Sequence, residues 1–222
     1  MSLIRYHNLL MFQTSSAVLE VIGEDESNTA FSTNSATQGM TVTETAEYDA
    51  VLAGATDLIF KMKSVSQLPP GTSFTSLTTL DITGCTNIAQ VPTSYPTTLQ
   101  TIRASSTKLS SIPSIYTNIA TLDVSNCKRI SSVSIPSLQT LIMSHSAVTE
   151  VTQLQNLVRL IALNTKVTTI PAAPSLVVVM WSGVSNATLS VDPSNTSIVQ
   201  ILTTGEEQNV SSANGVVTSL ML

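Results

Sequence analysis

The side chains able to do chemistry are few and scattered. His145 stands between two hydroxyls in Ser144-His145-Ser146, a pairing that could activate a serine nucleophile. Such a nucleophile also needs an acidic group to orient the imidazole, and the motif supplies none. His7, the other histidine, lies in an apolar run without such neighbours. Cys85 and Cys127 could form one disulfide. Two cysteines with no nearby histidine cannot complete a tetrahedral metal shell. Glu24-Asp25-Glu26 could attract a cation, but it lacks the ligand spacing of an EF-hand and reads as a solvated loop. No G-x-S-x-G, P-loop, G-x-G-x-x-G or H-E-x-x-H motif occurs. The expectation is a protein that is not an enzyme, with no catalytic residue, no cofactor and no metal.

The elements that hold these residues are repeats. Leu77-Thr-Thr-Leu80-Asp-Ile82 recurs as Leu99-Gln-Thr-Ile102-Arg-Ala104 and as Ile119-Ala-Thr-Leu122-Asp-Val124. Leu138-Gln-Thr-Leu141-Ile-Met143, Leu157-Val-Arg-Leu160-Ile-Ala162 and Leu176-Val-Val-Val179-Met-Trp181 follow, and Ile198 to Thr203 is a weaker copy. The starts are 22, 20, 19, 19, 19 and 22 residues apart. Each unit adds two later apolar positions, such as Ile88 and Val91 or Leu109 and Ile112, with Pro92, Pro113 and Pro171 after the second. A degenerate earlier copy runs through Leu58, Phe60, Val65, Leu68 and Pro69. Alternation within x-Leu-x-Leu turns the Leu positions inward and the x positions outward. No unit buries its apolar face alone, so the units must stack.

This pattern resembles the leucine-rich repeat, L-x-x-L-x-L-x-x-N/C-x-L, with Cys85 and Cys127 at its Asn/Cys position. The resemblance covers about 140 residues and is closest to the short-repeat bacterial and viral type. It implies a solenoid with one short parallel strand per repeat and a mostly extended convex side. Thr107, Ser146, Thr165 and Val184 stand at the positions equivalent to the cysteines. Two stacked repeats separate Cα atoms by about 10 Å, beyond the limit of about 7 Å for a disulfide. Cys85 and Cys127 are therefore expected to be two buried thiols that are not linked.

The outward strand face divides in two. Asp81, Arg103 and Asp123 give its first half alternating charge over a row of threonines. Ile142, Ile161, Leu163, Val178, Met180 and Leu202 make its second half apolar. A contiguous exposed apolar patch marks a contact surface, so these six are the candidate partner surface. The chain's own tail is the other candidate cover. Opposite charges in solvent contribute only about 0–1 kcal/mol, so the polar half reads as a matter of solubility and register.

Three segments follow. Residues 1–57 carry eight acidic residues against one Arg, a net of −7, and read as a non-repeat, β-rich arm or cap. Ala17 to Ile22 is a strand candidate, Phe31 to Met40 an extended arm, and Glu44 to Ala53 a short helix. Residues 58–203 are the solenoid; its stretch 58–196 has a net of +4. Residues 204–222 read as a hairpin or cap, because Asn214-Gly215 separates two apolar runs. Sequons at Asn186, Asn195 and Asn209 read as chance in a chain with 32 Ser and 32 Thr.

Composition then narrows the function. Only 10% of residues are charged, against roughly 25% in ordinary domains. Nine Lys and Arg cannot neutralise many phosphates, which argues against a nucleic-acid partner. No apolar stretch reaches the length of a membrane span, and no classical signal peptide is evident at Met1 to Phe12. So little charge suits a surface covered by neighbours. The expectation is a structural protein of a large assembly, such as a phage or virus particle, in a decoration, cement or fibre-associated role. Its location would then be the virion. The alternative is a binding module, an effector or surface receptor that grips one protein on its strand face, either cytoplasmic or exported without a classical signal.

Overall fold

Two inward side chains per strand and a neighbour above and below are what a stacked coil requires, and the chain builds itself that way. The computed structural model describes residues 3–6, 9–15, 17–24, 51–61, 63–183, 188–196, 200–203, 209–212 and 219–221. Three strands open the chain: β1 (Leu3–Tyr6), β2 (Leu9–Gln13) and β3 (Val18–Glu24). One strand per coil follows: β4 (Asp57–Phe60), β5 (Thr79–Asp81), β6 (Thr101–Arg103) and β7 (Thr121–Asp123). Later coils add strands on their return leg. These coils comprise β8 (Ser132–Ser134), β9 (Thr140–Ile142), β10 (Glu150–Thr152), β11 (Arg159–Thr165), β12 (Thr169–Ile170), β13 (Val178–Gly183), β14 (Thr188–Val191), β15 (Gln200–Thr203), β16 (Asn209–Ser212) and β17 (Ser219–Met221). Among the described residues helix is almost absent, with one turn at 51–54 and a 3-10 turn at Gly71–Ser73.

The result is a parallel β-solenoid. Its main sheet has twelve strands, in the order β1-β2-β3-β4-β5-β6-β7-β9-β11-β13-β15-β17. From β3 onward every pairing in this sheet is parallel. β1 and β2 precede it as antiparallel strands. The return legs form two small parallel sheets, β8 with β10, and β12-β14-β16.

The core is a set of columns. Leu58, Leu80, Ile102, Leu122, Leu141, Leu160 and Val179 face one another rung to rung, and all are buried. The next inward column is Phe60, Ile82, Ala104, Val124, Met143, Ala162 and Trp181, also buried. Its side chains vary in size, and Trp181 pairs with the small Ala162. The indole N–H of Trp181 donates to the Val167 carbonyl at 2.9 Å, so the largest core side chain leaves no donor unmet.

The turn after each strand has a common conformation. Gly84, Ser106, Asn126, His145 and Asn164 all have positive φ, between 50° and 77°. Each sits one residue before Cys85, Thr107, Cys127, Ser146 or Thr165. Non-glycine residues enter this region rarely, with Asn, Asp and His enriched. Here the strain is offset by hydrogen bonding between coils. The amides of Gly84, Ser106, Asn126 and His145 donate to Ser105, Ser125, Ser144 and Leu163 carbonyls at 2.7–2.9 Å. At the next rung the amide of Asn164 donates to Oγ of Ser182 instead, at 2.7 Å.

The two ends meet the local signals in the sequence differently. Val18–Glu24 is a strand, in the span where Ala17 to Ile22 suggested one, and it joins the sheet as a rung beside β4. The arm candidate at 31–40 and most of the helix candidate at 44–53 lie outside the described residues. At the other end the segment 204–222 reads as a hairpin or cap, and its described parts are two short strands. Asn214-Gly215 lies outside the described residues, but the flanking strands do not pair with each other. β16 pairs in parallel with β14, and β17 in parallel with β15. Stacking one more coil lets each strand meet a preformed edge.

One glycine is set by space. A Cβ on Gly71 would lie 2.4 Å from the backbone N and Cα of Tyr95. A Cβ on Gly54 would meet nothing within 4 Å. Gly71→Ala is expected to cost about 1–3 kcal/mol through overpacking against backbone. Gly54→Ala is expected to stay within about 0.5 kcal/mol. Chemical denaturation of the two variants checks this; equal stabilities would contradict it.

Candidate functional site

The outward rows of the main sheet form the surface in question. Register aligns Ile59, Asp81, Arg103, Asp123, Ile142, Ile161, Met180 and Leu202 in one row across eight strands. Beside it run Asp57, Thr79, Thr101, Thr121, Thr140, Arg159, Val178 and Gln200. The threonines are therefore a true ladder, suited to a pleated surface by their branched side chains.

Ile142, Ile161, Leu163, Val178 and Met180 are half-buried on this face. Leu202 is in register with Met180; its side chain lies outside the described residues. Two further apolar residues near these strands reach solvent, and strand alternation alone does not mark them. Val158 is 43% exposed and Val177 is half-buried, both at the entry to their strands. Each stands just before an outward position already counted, so a reading of strict alternation passes over it. Arg159 interrupts the patch between Thr140 and Val178. Of the tail, Ser219–Met221 extends the sheet edge as β17 and does not cross this face.

The polar half has a local task. An Asp81 carboxylate oxygen accepts the Thr83 amide at 3.0 Å, and one of Asp123 accepts the Ser125 amide at 2.9 Å. Both carboxylates thus fasten the turn that follows their strand, as short polar side chains do two residues on. Arg103 stands between them in register and is exposed. Among the described residues, the ion pair is Lys61 with Glu20 at 3.3 Å, not Arg103 with either Asp. Asp192 repeats the device near the C-terminal coils. It accepts from the Ser194 hydroxyl and amide, and these bonds lower its carboxyl below the ordinary value.

The hydroxyls flanking His145 are engaged with backbone. Ser144 Oγ accepts the Leu163 amide at 3.1 Å, and buried Ser146 Oγ accepts the Val148 amide at 3.4 Å. His145 owes its place to the left-handed turn, and its Nδ1 lies 3.1 Å from the Asn164 side-chain amide. The ammonium of Lys128 donates to the His145 carbonyl. His7 lies outside the described residues. Sequon residue Asn195 is buried and fastens two coils, accepting the Ala173 amide and donating to the Pro171 carbonyl at 2.9 Å.

Cys85 and Cys127 are buried, and neither is in a disulfide. Cys127 Sγ donates to the Ala104 carbonyl at 3.1 Å and lies 3.3 Å from Thr107 Oγ1. Thr107 and Thr165 instead donate within their own turns, to the Ala104 and Ala162 carbonyls three residues back. Burial pushes both thiols above their ordinary pKa.

The chain matches no protein-family model and no curated protein.

A raised thiol pKa leaves less thiolate, the reactive form, at pH 8. Both cysteines are therefore expected to resist a disulfide reagent in the native protein at that pH and to react fully once denaturant is added. Fast native labelling of either would contradict its burial between coils.

Proposed function

We propose that this chain is a non-enzymatic structural and interaction protein of the leucine-rich-repeat type, and that it works as a component of a large assembly such as a phage or virus particle. The apolar half of the strand face is its contact with a neighbouring subunit. The observation that carries this reading is the in-register run Ile142, Ile161 and Met180, with Val178 beside it, following the charged run Asp81, Arg103 and Asp123 in the same row. Apolar residues on a solvent-facing strand row cost solubility unless something covers them. The low charge of the whole chain points the same way. The repeat motif supports the leucine-rich type, because its L-x-x-L-x-L residues fill the inward columns and its Asn/Cys positions hold Cys85, Thr107, Cys127, Ser146 and Thr165.

Sedimentation velocity over a range of concentrations tests the reading. Association beyond the 23.5 kDa monomer is expected. Ile161→Asp and Met180→Asp are each expected to weaken it by about tenfold or more, as for central interface residues. Both side chains are half-exposed, so circular dichroism should be unchanged. A monodisperse monomer at all concentrations would contradict the assembly reading. It would favour a module that grips a single protein on the same face.

A further inference from the structure

A second surface lies on the edge of the solenoid, at the turns that follow the main-sheet strands. Two residues beyond each left-handed turn residue the successive coils place Thr86, Lys108, Lys128, Ala147 and Lys166. The three lysines are exposed. Ala147 stands where its neighbours have lysine, and its short side chain leaves a hollow of about 320 Å³. The lining is Lys128, His145, Ser146, Ala147, Asn164 and Lys166.

This lining has a definite chemistry. Two ammonium groups flank the hollow from coils two rungs apart, about 10 Å at the backbone; that of Lys128 donates to the His145 carbonyl and keeps two further donors. The imidazole of His145 and the amide of Asn164 meet at its rim, 3.1 Å apart. No carboxylate and no Phe, Tyr or Trp ring lines it. It therefore offers donors and positive charge, but no broad platform on which a sugar or base could stack. Lysine presents a compact charge with rotatable donors, which suits an oxyanion without demanding bidentate geometry.

We propose that the hollow over Ala147 is a binding site for an oxyanion, a carboxylate or phosphoryl group, borne by a ligand or partner. Lys128 and Lys166 supply the charge, and Asn164 and His145 line the seat. The site is separate from the apolar strand face and does not rest on the function proposed for it.

Titration of the full-length, isotope-labelled chain with inorganic phosphate, and separately with acetate, at constant ionic strength tests the proposal by nuclear magnetic resonance. Saturable shifts are expected at Ala147, Asn164 and the His145 ring. Saturation by phosphate alone assigns a phosphoryl group, by acetate alone a carboxylate, and by both the shared chemistry. Lys128→Gln and Lys166→Gln should each weaken binding by about tenfold, the effect of losing one charge-assisted hydrogen bond. Ala147→Leu fills the hollow without changing net charge and should abolish saturation. Shifts that stay linear with either anion, that spread equally to Lys61 and Lys108, or that survive Ala147→Leu would show diffuse surface charge and overturn the proposal.

Discussion

A strand of three residues has no stability of its own. Each one exists here because an equivalent strand pairs with it, and within the main sheet β5, β6, β7 and β9 have such a partner on either side in matching register. That register is the constraint on which everything else depends. It sets Leu80 on Ile102 on Leu122 on Leu141, so that the core is continuous although no coil could enclose one. It also brings each coil's polar groups against those of the next. Hydroxyls and amides then bridge coils: Thr98 to the Leu77 carbonyl and Ser137 to the Ile119 carbonyl at 2.7 Å, Asn118 to Thr97 and Asn156 to Pro136 at 2.9 Å. The abundance of Ser, Thr and Asn follows from this. A solenoid has carbonyls at every coil's corners, and short polar side chains meet them with little loss of conformational entropy.

The same register makes surfaces as well as a core. A residue type repeated at one position becomes a row, and a change of type becomes an edge within that row. Asp123 to Ile142 is such an edge on the strand face, where charge gives way to an apolar run. Lys128 to Ala147 is another on the turn side, where a lost side chain opens a hollow between two lysines. Both changes occur at the step from the third clear repeat to the fourth. The first half of the solenoid is fastened by its own Asp turns, and the apolar run belongs to the second half.

Much of this is legible in the residues. The inward columns follow from apolar spacing, because period-two alternation in a repeat near 20 residues turns Leu80 and Ile82 to one face, while Leu77 enters the core from the turn before the strand. The small buried positions at 85, 107, 127, 146 and 165 follow from residue size. The turns are less legible, since Gly84, Ser106, Asn126, His145 and Asn164 share a backbone conformation and not a chemistry. His145 is a catalytic residue type whose role in the turn is conformational. Asp81 and Asp123 look like one half of a charge pattern, and bond instead to amides two residues on. Asn214-Gly215 signals a hairpin, whereas the strands on either side of it pair in parallel with β14 and β15. Local signals mislead most where a residue's partner lies one coil away.

The central claim is that the rungs stack in register along the row from Asp81 to Met180, the β11–β13 register shifting only beyond Ala162. Pairs of spin labels, one at Asp81 and the other at Ile142, Ile161 or Met180, measure it directly in a chain whose two thiols are replaced by Thr. Those partners are three, four and five strands away in the sheet. The distances should be narrow and rise by about 4.8 Å per strand, to about 14, 19 and 24 Å. Distances that do not grow with strand number, or that are broadly distributed at Ile161 and Met180, would contradict the stack.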